Sequence, residues 1–273
     1  MRLARIHHAS LIVNALEPAL RAYASDLRMQ VQDRTPVSET EALAMGAQHL
    51  AGAACAWLSC GPSTRLRLIE DRAAQPTTPF ARYGWMALEI AVDDVDALAR
   101  RLDPALWQIL GEPRDLDVSD AIRAMQVAGP NGEVLYLTEV KRAVPPFELP
   151  LGTQGIGELF VAVLAARSRT QSLGFYAGLG WRADWRFDTR LSAFNARHGL
   201  ADAARHPVGV GQLLAEHLIE IDQPSGVALA PCDPRATGIR SISFVRGSTA
   251  AAAPGSTSRW LSGPDGEAIG LLG

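Results

Sequence analysis

His8 and Glu89 carry the two side chains of this sequence best suited to move a proton, and each lies in a run written for a strand. His8 alternates with Ser10 and Ile12, so these three share a face and His7 points the other way. An imidazole there suits a base or a ligand contact; a hydrogen-bonded strand histidine is the ordinary alternative. Glu89 becomes a general base if desolvation raises its pKa. Tyr136, in "EVLYLTE", shares a face with Val134 and Thr138, and its ring and hydroxyl suit a pocket wall as well as a packed core. Arg67, in "RLRLIE", either contacts a substrate or closes a salt bridge with Glu89.

Other chemistries lack their signatures. Cys55, Cys60 and Cys232 are odd in number and show no CxxC spacing, which argues against a disulfide framework or a thiolate metal site and for a reducing cytoplasm. Cys55 sits in the apolar run "GAACAWLSC" with no base beside it, so it reads as a buried, inert thiol. There is no Gly-x-Ser-x-Gly elbow and no phosphate-cradling glycine loop. Trp57, Trp85, Trp107, Trp181, Trp185 and Trp260 read mostly as core, with a few free to stack on a flat ligand.

These residues need elements to hold them. The proline-rich stretch 145–150 divides the chain into halves, 1–144 and 151–273, and weaker breaks at 71–79 and 223–238 divide each half again. The four pieces are 1–75, 80–142, 153–222 and 236–273. Each of the first three opens with a strand-like run and continues into a helical one. Leu20, Tyr23, Ala24 and Leu27 recur at helical spacing, as do Val95, Leu98, Ala99 and Leu102. Asp93 or Asp94 suits the cap of the second helix, and Gly178 or Gly180 the end of the third. Strand-like runs then close each piece. The fourth piece begins as a strand, but "RGSTAAAAPGSTS" has no amphipathic stripe, so this copy is predicted to be shortened and to lack the helix. "GPNGE" at 129–133 and "GPDGE" at 263–267 mark one turn written twice.

Composition bounds the partners. The 273 residues are 48% hydrophobic, enough for one large core or two ordinary ones. With 26 basic and 29 acidic residues the net charge is −3 and no basic block occurs, which predicts no nucleic-acid partner. No run approaches the ~20 apolar residues of a membrane span.

Taken together, "RIHHASLIVNALEPALRAYASDLRM" (5–29), "ALEIAVDDVDALARRL" (87–102) with "GPNGEVLYLTE" (129–139), and "LGFYAGLGW" (173–181) resemble the vicinal oxygen chelate superfamily, the glyoxalase, bleomycin-resistance and extradiol-dioxygenase group. The resemblance implies an α+β fold of four βαβββ modules, paired into two cup-shaped mixed sheets, as in the two-domain members. It also implies a metal held in a cup by His and Glu side chains from first and last strands. In the first half those positions are matched to His8, Arg67, Ala87 and Tyr136, and in the second to Glu158, His217, Arg240 and Gly270. Arginine stays protonated, and alanine and glycine have no side-chain donor, so neither set suits a divalent ion.

The expectation is therefore a cup without the usual metal or any other cofactor. It would bind a small organic ligand, aromatic or a ketoacid, through Tyr136, Arg67, Glu158, His217 and Arg240. Two alternatives stay open. One is a dioxygenase-like oxidoreductase or a lyase, with iron, manganese or zinc on Glu158, His217 and a loop histidine, His198 or His206, from the loop 195–211. The other is a metal-free isomerase or hydrolase with Glu89 or His8 as base. A Glu158–His217 hydrogen bond is the structural alternative to both roles of that pair. An edge left open by the shortened module would suit a homodimer.

Overall fold

The computed structural model describes residues 2–117, 119–247 and 259–273. The first module runs β1 (Leu3–Val13), α1 (Leu16–Ser25), β2 (Val31–Asp33), α2 (Glu39–Ala44), a 3-10 turn (Gln48–Leu50), β3 (Cys55–Cys60) and β4 (Thr64–Glu70). The second comprises β5 (Gly84–Val92), α3 (Val95–Arg101), β6 (Gln108–Leu116), β7 (Ser119–Ala128) and β8 (Val134–Val140). The third comprises β9 (Ile156–Ala165), α4 (Arg169–Leu179), β10 (Ala183–Arg190), α5 (Ser192–Arg197), β11 (Arg205–Gln212) and β12 (Leu218–Asp222). Of the fourth, β13 (Gly238–Arg246), β14 (Arg259–Ser262) and β15 (Ala268–Leu272) are described. The stretch predicted to lack a helix falls mainly on 248–258, outside the described residues. The fold is α+β, built from βαβββ modules, as the sequence implied.

Helix termini follow local chemistry. The Asp94 side chain accepts from the Ala97 amide at 2.8 Å, and Gly180 ends α4 at φ +89°. Ala15 has no side chain with which to cap α1, and Glu70 Oε2 accepts from the Leu16 amide instead, at 2.9 Å. The segment 195–211, expected as a loop, holds the end of α5 and most of β11. Strand β11 is glycine-rich because α4 lies on it. A Cβ on Gly209 would stand 2.9 Å from Leu173, and one on Gly211 1.9 Å from Trp181.

The modules pair across the halves of the chain. One sheet has the order β14-β15-β13-β1-β4-β3-β2 and the other β10-β11-β12-β9-β5-β8-β7-β6. Module one therefore joins module four through antiparallel β1 and β13, and module two joins module three through β5 and β9. The expected sharing of one cup by modules one and two, and of another by modules three and four, is corrected by this register. Each first strand offers a similar apolar edge, and only three-dimensional packing selects which two edges meet.

One apolar core takes Leu66 and Phe244 from the first sheet, Leu88 and Ile219 from the second, and Tyr23, Leu98 and Tyr176 from α1, α3 and α4. Burying each such side chain contributes roughly 1.5–3 kcal/mol. The opposite face of each sheet carries its own cluster, with Ile12, Ala42, Met45 and Leu50 on the first and Ala87, Phe160, Phe194 and Val210 on the second.

A repeated irregularity sets what those outer faces display. The ladder skips one residue at His7 in β1, Met86 in β5 and Phe160 in β9. Each lies eight positions before its helix N-cap, Ala15, Asp94 and Ser168. A bulge breaks the two-residue alternation, so adjacent residues share a face: Met86 with Ala87, and Phe160 with Val161. In β1 it brings His7 beside His8, their Nδ1 atoms 2.8 Å apart. The expectation that His7 points away from His8 rested on unbroken alternation and is corrected here.

Candidate functional site

The two outer faces differ in what fills them. On the first, the insertion between β2 and β3 folds inward as α2 and the 3-10 turn, packing Ala42, Met45 and Leu50 against Ile12 and Ile69. Arg67 is pinned beneath it, donating to both oxygens of Glu41, to Glu41 Oε2 at 2.8 Å, and to the sulfur of Cys55 at 3.0 Å. Its guanidinium also lies over Trp57 at 4.9 Å. Burial pushes the Cys55 thiol up, which keeps it protonated. His8 stacks edge-on to Trp57 at 4.9 Å, and burial, then repulsion from the adjacent His7, hold its imidazole well below the usual range. His8 is therefore neutral in a filled cup.

On the second sheet the equivalent insertion, between β10 and β11, is only the short helix α5. It roofs the sheet without filling it, and a cavity of about 200 Å³ remains. Glu89 and Tyr136 line its floor from β5 and β8, and Glu220 from β12; Phe160 and Val210 add apolar wall. Phe147, Phe187 and Phe194 close the sides, and Arg114, Asp117 and Arg190 stand at the rim.

The floor is acidic. Thr138 Oγ1 donates a 2.6 Å hydrogen bond to Glu89 Oε1. Burial, reinforced by the charge of Glu220, nevertheless raises the Glu89 carboxyl to about 8. Glu220 and Asp222 lie two residues apart on β12 and share one side of it. No N–H or hydroxyl among the described residues reaches either oxygen of the buried Asp222 carboxylate, whose close neighbour is the Glu220 carboxyl. Burial raises Asp222 to about 7, and burial, then the charge of Asp222, raises the neighbouring Glu220 carboxyl well above its ordinary range. The same three carboxylates, after burial, push the Tyr136 hydroxyl upward.

The rim compensates its own charge. Arg190 donates to Asp202 at 2.8 Å and to Asp117 at 3.0 Å, and Arg114 donates to Ser192 Oγ at 2.9 Å. Among the described residues no arginine is ion-paired with Glu89, Glu220 or Asp222.

The candidate residues named from sequence are thus dispersed. Glu89 and Tyr136 meet at the cavity. His8 and Arg67 lie in the other sheet, so the expected Arg67–Glu89 salt bridge does not form; Glu41 takes Arg67 and Thr138 takes Glu89. Glu158 does not enter the cavity, since its oxygens accept from the Ser63 amide at 2.8 Å and the Thr64 hydroxyl at 2.6 Å, in the turn between β3 and β4. His217 is buried near Leu159 and Arg5, its imidazole lowered to about 4 by burial first. His198 Nε2 contacts the Phe80 carbonyl at 2.9 Å, and His206 Nε2 contacts Asn195 Oδ1 at 2.7 Å. Arg240, bulged out of the β13 ladder, donates to the Met45 carbonyl at 3.3 Å under the plug of the first cup. Sequence reasoning passed over Glu220 and Asp222. Their signal was present in "LIEID", where carboxylates occupy alternate positions of an apolar strand and so share one buried side.

The metal implied by the resemblance can be tested against these positions. Counted from the helix caps, Glu89 and Val163 are equivalent, and their parallel neighbours are Tyr136 and Glu220. In the first sheet Ser10 pairs with Arg67 and Ser243 with Gly270 at the corresponding places. Neither quartet contains three histidine or carboxylate donors. Among the described residues no group of three or more His, Cys, Asp or Glu side chains is arranged to hold a metal ion. The residues present do not fit the group.

Paired βαβββ modules around a curled mixed sheet define a glyoxalase-like protein. Residues 5–135 match the model of the Glyoxalase/Bleomycin resistance protein/Dioxygenase superfamily, and the chain carries a domain of that superfamily. Glyoxalase I from Zea mays superposes with a TM-score of 0.63 at 16% identity, covering 98% of this chain and 92% of that one. A Bacillus subtilis protein provisionally named a dioxygenase superposes equally, at 0.63 and 11% identity, covering 99% and 85%. At these identities the likeness is one of fold. No curated protein matches the sequence. Among the described residues no helix is long and apolar enough to cross a membrane.

Proposed function

We propose that this chain binds a small organic molecule in the cavity of the second sheet, in the cytoplasm and without a metal ion. The observation that carries this reading is the contrast between the two cups. The same fold position is plugged by α2 in one and left hollow under α5 in the other, with aromatic walls and buried carboxyls facing the hollow. A preformed apolar pocket with a few convergent polar groups is the usual form of a small-molecule site. At about 200 Å³ the space suits one ring and a few further atoms, given that a cavity of ~150 Å³ accepts benzene. The lack of a three-donor set among the described residues supports the metal-free part of the reading.

Elemental analysis of purified protein, paired with thermal unfolding before and after chelation, tests that part. The expected result is substoichiometric iron, manganese and zinc and an unchanged Tm; stoichiometric metal overturns it. Occupancy is tested by titrating one-ring compounds into wild type and Ala193→Trp, whose added ring would fill the hollow from α5. Binding that persists in the filled variant refutes the location.

A second reading is favoured by Glu89 itself. A carboxyl raised to about 8, held by Thr138 and facing the cavity, is suited to take a proton from carbon or oxygen near neutral pH. His8, in the other cup, has no part in this. Turnover of small ketoacids by wild type and not by Glu89→Gln would support a metal-free isomerase or hydrolase; equal turnover in both removes Glu89 from the chemistry.

A further inference from the structure

We infer that the cavity of the second sheet selects an organic ammonium ion, a protonated amine carried on a single ring, with the nitrogen seated between Glu89 and Glu220. The inference rests on the proposed binding cavity and names the class of ligand it takes.

Two carboxyls, Glu89 and Glu220, line the deep end, with the wholly buried Asp222 beside Glu220 on β12, and among the described residues none of the three is ion-paired with a lysine, arginine or histidine. Elsewhere in this molecule a buried charged group has a partner: Arg67 has Glu41, and Asp265 accepts from the guanidinium of Arg167 at 3.1 Å. At the floor, by contrast, Thr138 is the one side chain among the described residues that donates to Glu89, and no donor reaches Asp222. Buried carboxylates are retained at a cost unless a counter-charge or hydrogen-bond donors reach them, and Asp222 has neither among the described residues. Glu89 and Glu220 keep surface open to the cavity, so a ligand rather than the protein can supply the donor. Each remaining feature suits the same occupant. An ammonium brings three N–H donors and a positive charge, and Tyr136, Phe147, Phe160, Phe187 and Phe194 line the same space with aromatic surface that suits a cation and an apolar ring. Arg114 and Arg190 do not oppose entry, because Asp117 and Asp202 offset them at the rim.

Proton release follows from the same arrangement. Other titratable groups near the cavity are occupied, His198 by the Phe80 carbonyl and His206 by Asn195 and the Ser225 amide. With the Glu89 carboxyl raised to about 8, a cation seated beside it at pH 7 is expected to discharge its proton.

Calorimetric titration at pH 7 with 2-phenylethylamine, 2-phenylethanol and 3-phenylpropanoate, each in phosphate and in Tris, tests the inference. The expected result is an amine affinity at least tenfold above the alcohol, no measurable binding of the carboxylate, and a buffer-dependent heat reporting proton release for the amine alone. Glu89→Gln and Glu220→Gln, each close in shape to wild type, should each weaken the amine at least tenfold and leave the alcohol within threefold. Equal or tighter binding of alcohol or carboxylate, lost in Ala193→Trp, overturns the ammonium inference and leaves the cavity reading standing. Failure of all three compounds to bind, or binding indifferent to Ala193→Trp, overturns both. Unfolding curves of each variant separate loss of fold from loss of binding, and the Ala193→Trp comparison does not depend on the glutamate variants.

Discussion

The hydroxyl of Tyr23 donates a 2.7 Å hydrogen bond to Glu133 Oε1, tying α1 of the first module to the turn before β8 of the second. The bond is repeated between Tyr176 of α4 and Glu267 in the turn before β15, at 2.9 Å. In each turn the same carboxylate also accepts an amide two residues back, Asn131 at 2.9 Å and Asp265 at 2.9 Å. The twice-written Gly-Pro-Asn/Asp-Gly-Glu is thus a socket for a helix tyrosine from a neighbouring module. Gly132 is required there, since it sits at φ +79° and a Cβ would stand 2.4 Å from the Thr77 carbonyl.

Tyr23→Phe is expected to destabilise the fold by about 1–3 kcal/mol, because it leaves a fully buried carboxyl short of a donor. Urea unfolding of Tyr23→Phe, Glu133→Gln and the double variant measures it. A double variant no less stable than the worse single variant would show the two residues coupled; simple additivity would show them independent.

The pH dependence of stability should carry the mark of Glu89. Its carboxyl titrates near 8 when folded and near the ordinary 4.5 when unfolded, so between those values the folded state holds the additional proton. Stability therefore falls as pH rises from about 5 to 8. Buried His7 and His217, both lowered to about 4, act in the opposite sense, with stability rising between pH 4 and 6.5. Glu89→Gln is expected to flatten the alkaline limb and to raise Tm at pH 8 relative to wild type. An unchanged slope between pH 6.5 and 8 would show that Glu89 ionises normally.

The plug of the first cup depends on Arg67. Glu41→Ala leaves a guanidinium that is 2% exposed without its carboxylate, and a loss of about 3–5 kcal/mol is expected. Proteolysis of the segment 37–54 should accelerate at the same time, since α2 is held down by that pair. Ligand binding at the other cup should persist in whatever fraction remains folded.

Filling the hollow should stabilise as well as block. Ala193→Trp is expected to hold or raise Tm while abolishing binding of one-ring compounds, a combination read by thermal unfolding and titration together. A fall in Tm with binding intact would place the ligand elsewhere.

Much of this protein is determined by local pattern. The helical spacing of Leu20, Tyr23 and Leu27, the Asp94 cap, the Gly180 stop and the paired turns depend on neighbours within a few residues, and they produce the βαβββ modules without reference to the rest of the chain. Glu89 and Tyr136 share a wall because adjacent parallel strands place them side by side. Tertiary structure alone decided which modules pair, since β1 and β5 present comparable edges and only packing chose β13 and β9. It also decided that bulges at His7, Met86 and Phe160 would reset alternation, a shift of one residue that no periodic reading contains. Finally, it decided which cup is hollow. That depends on whether an insertion of similar place in the module folds inward as far as Met45 and Leu50, or stops at the single turn and a half of α5, leaving Glu89 and Glu220 facing open space.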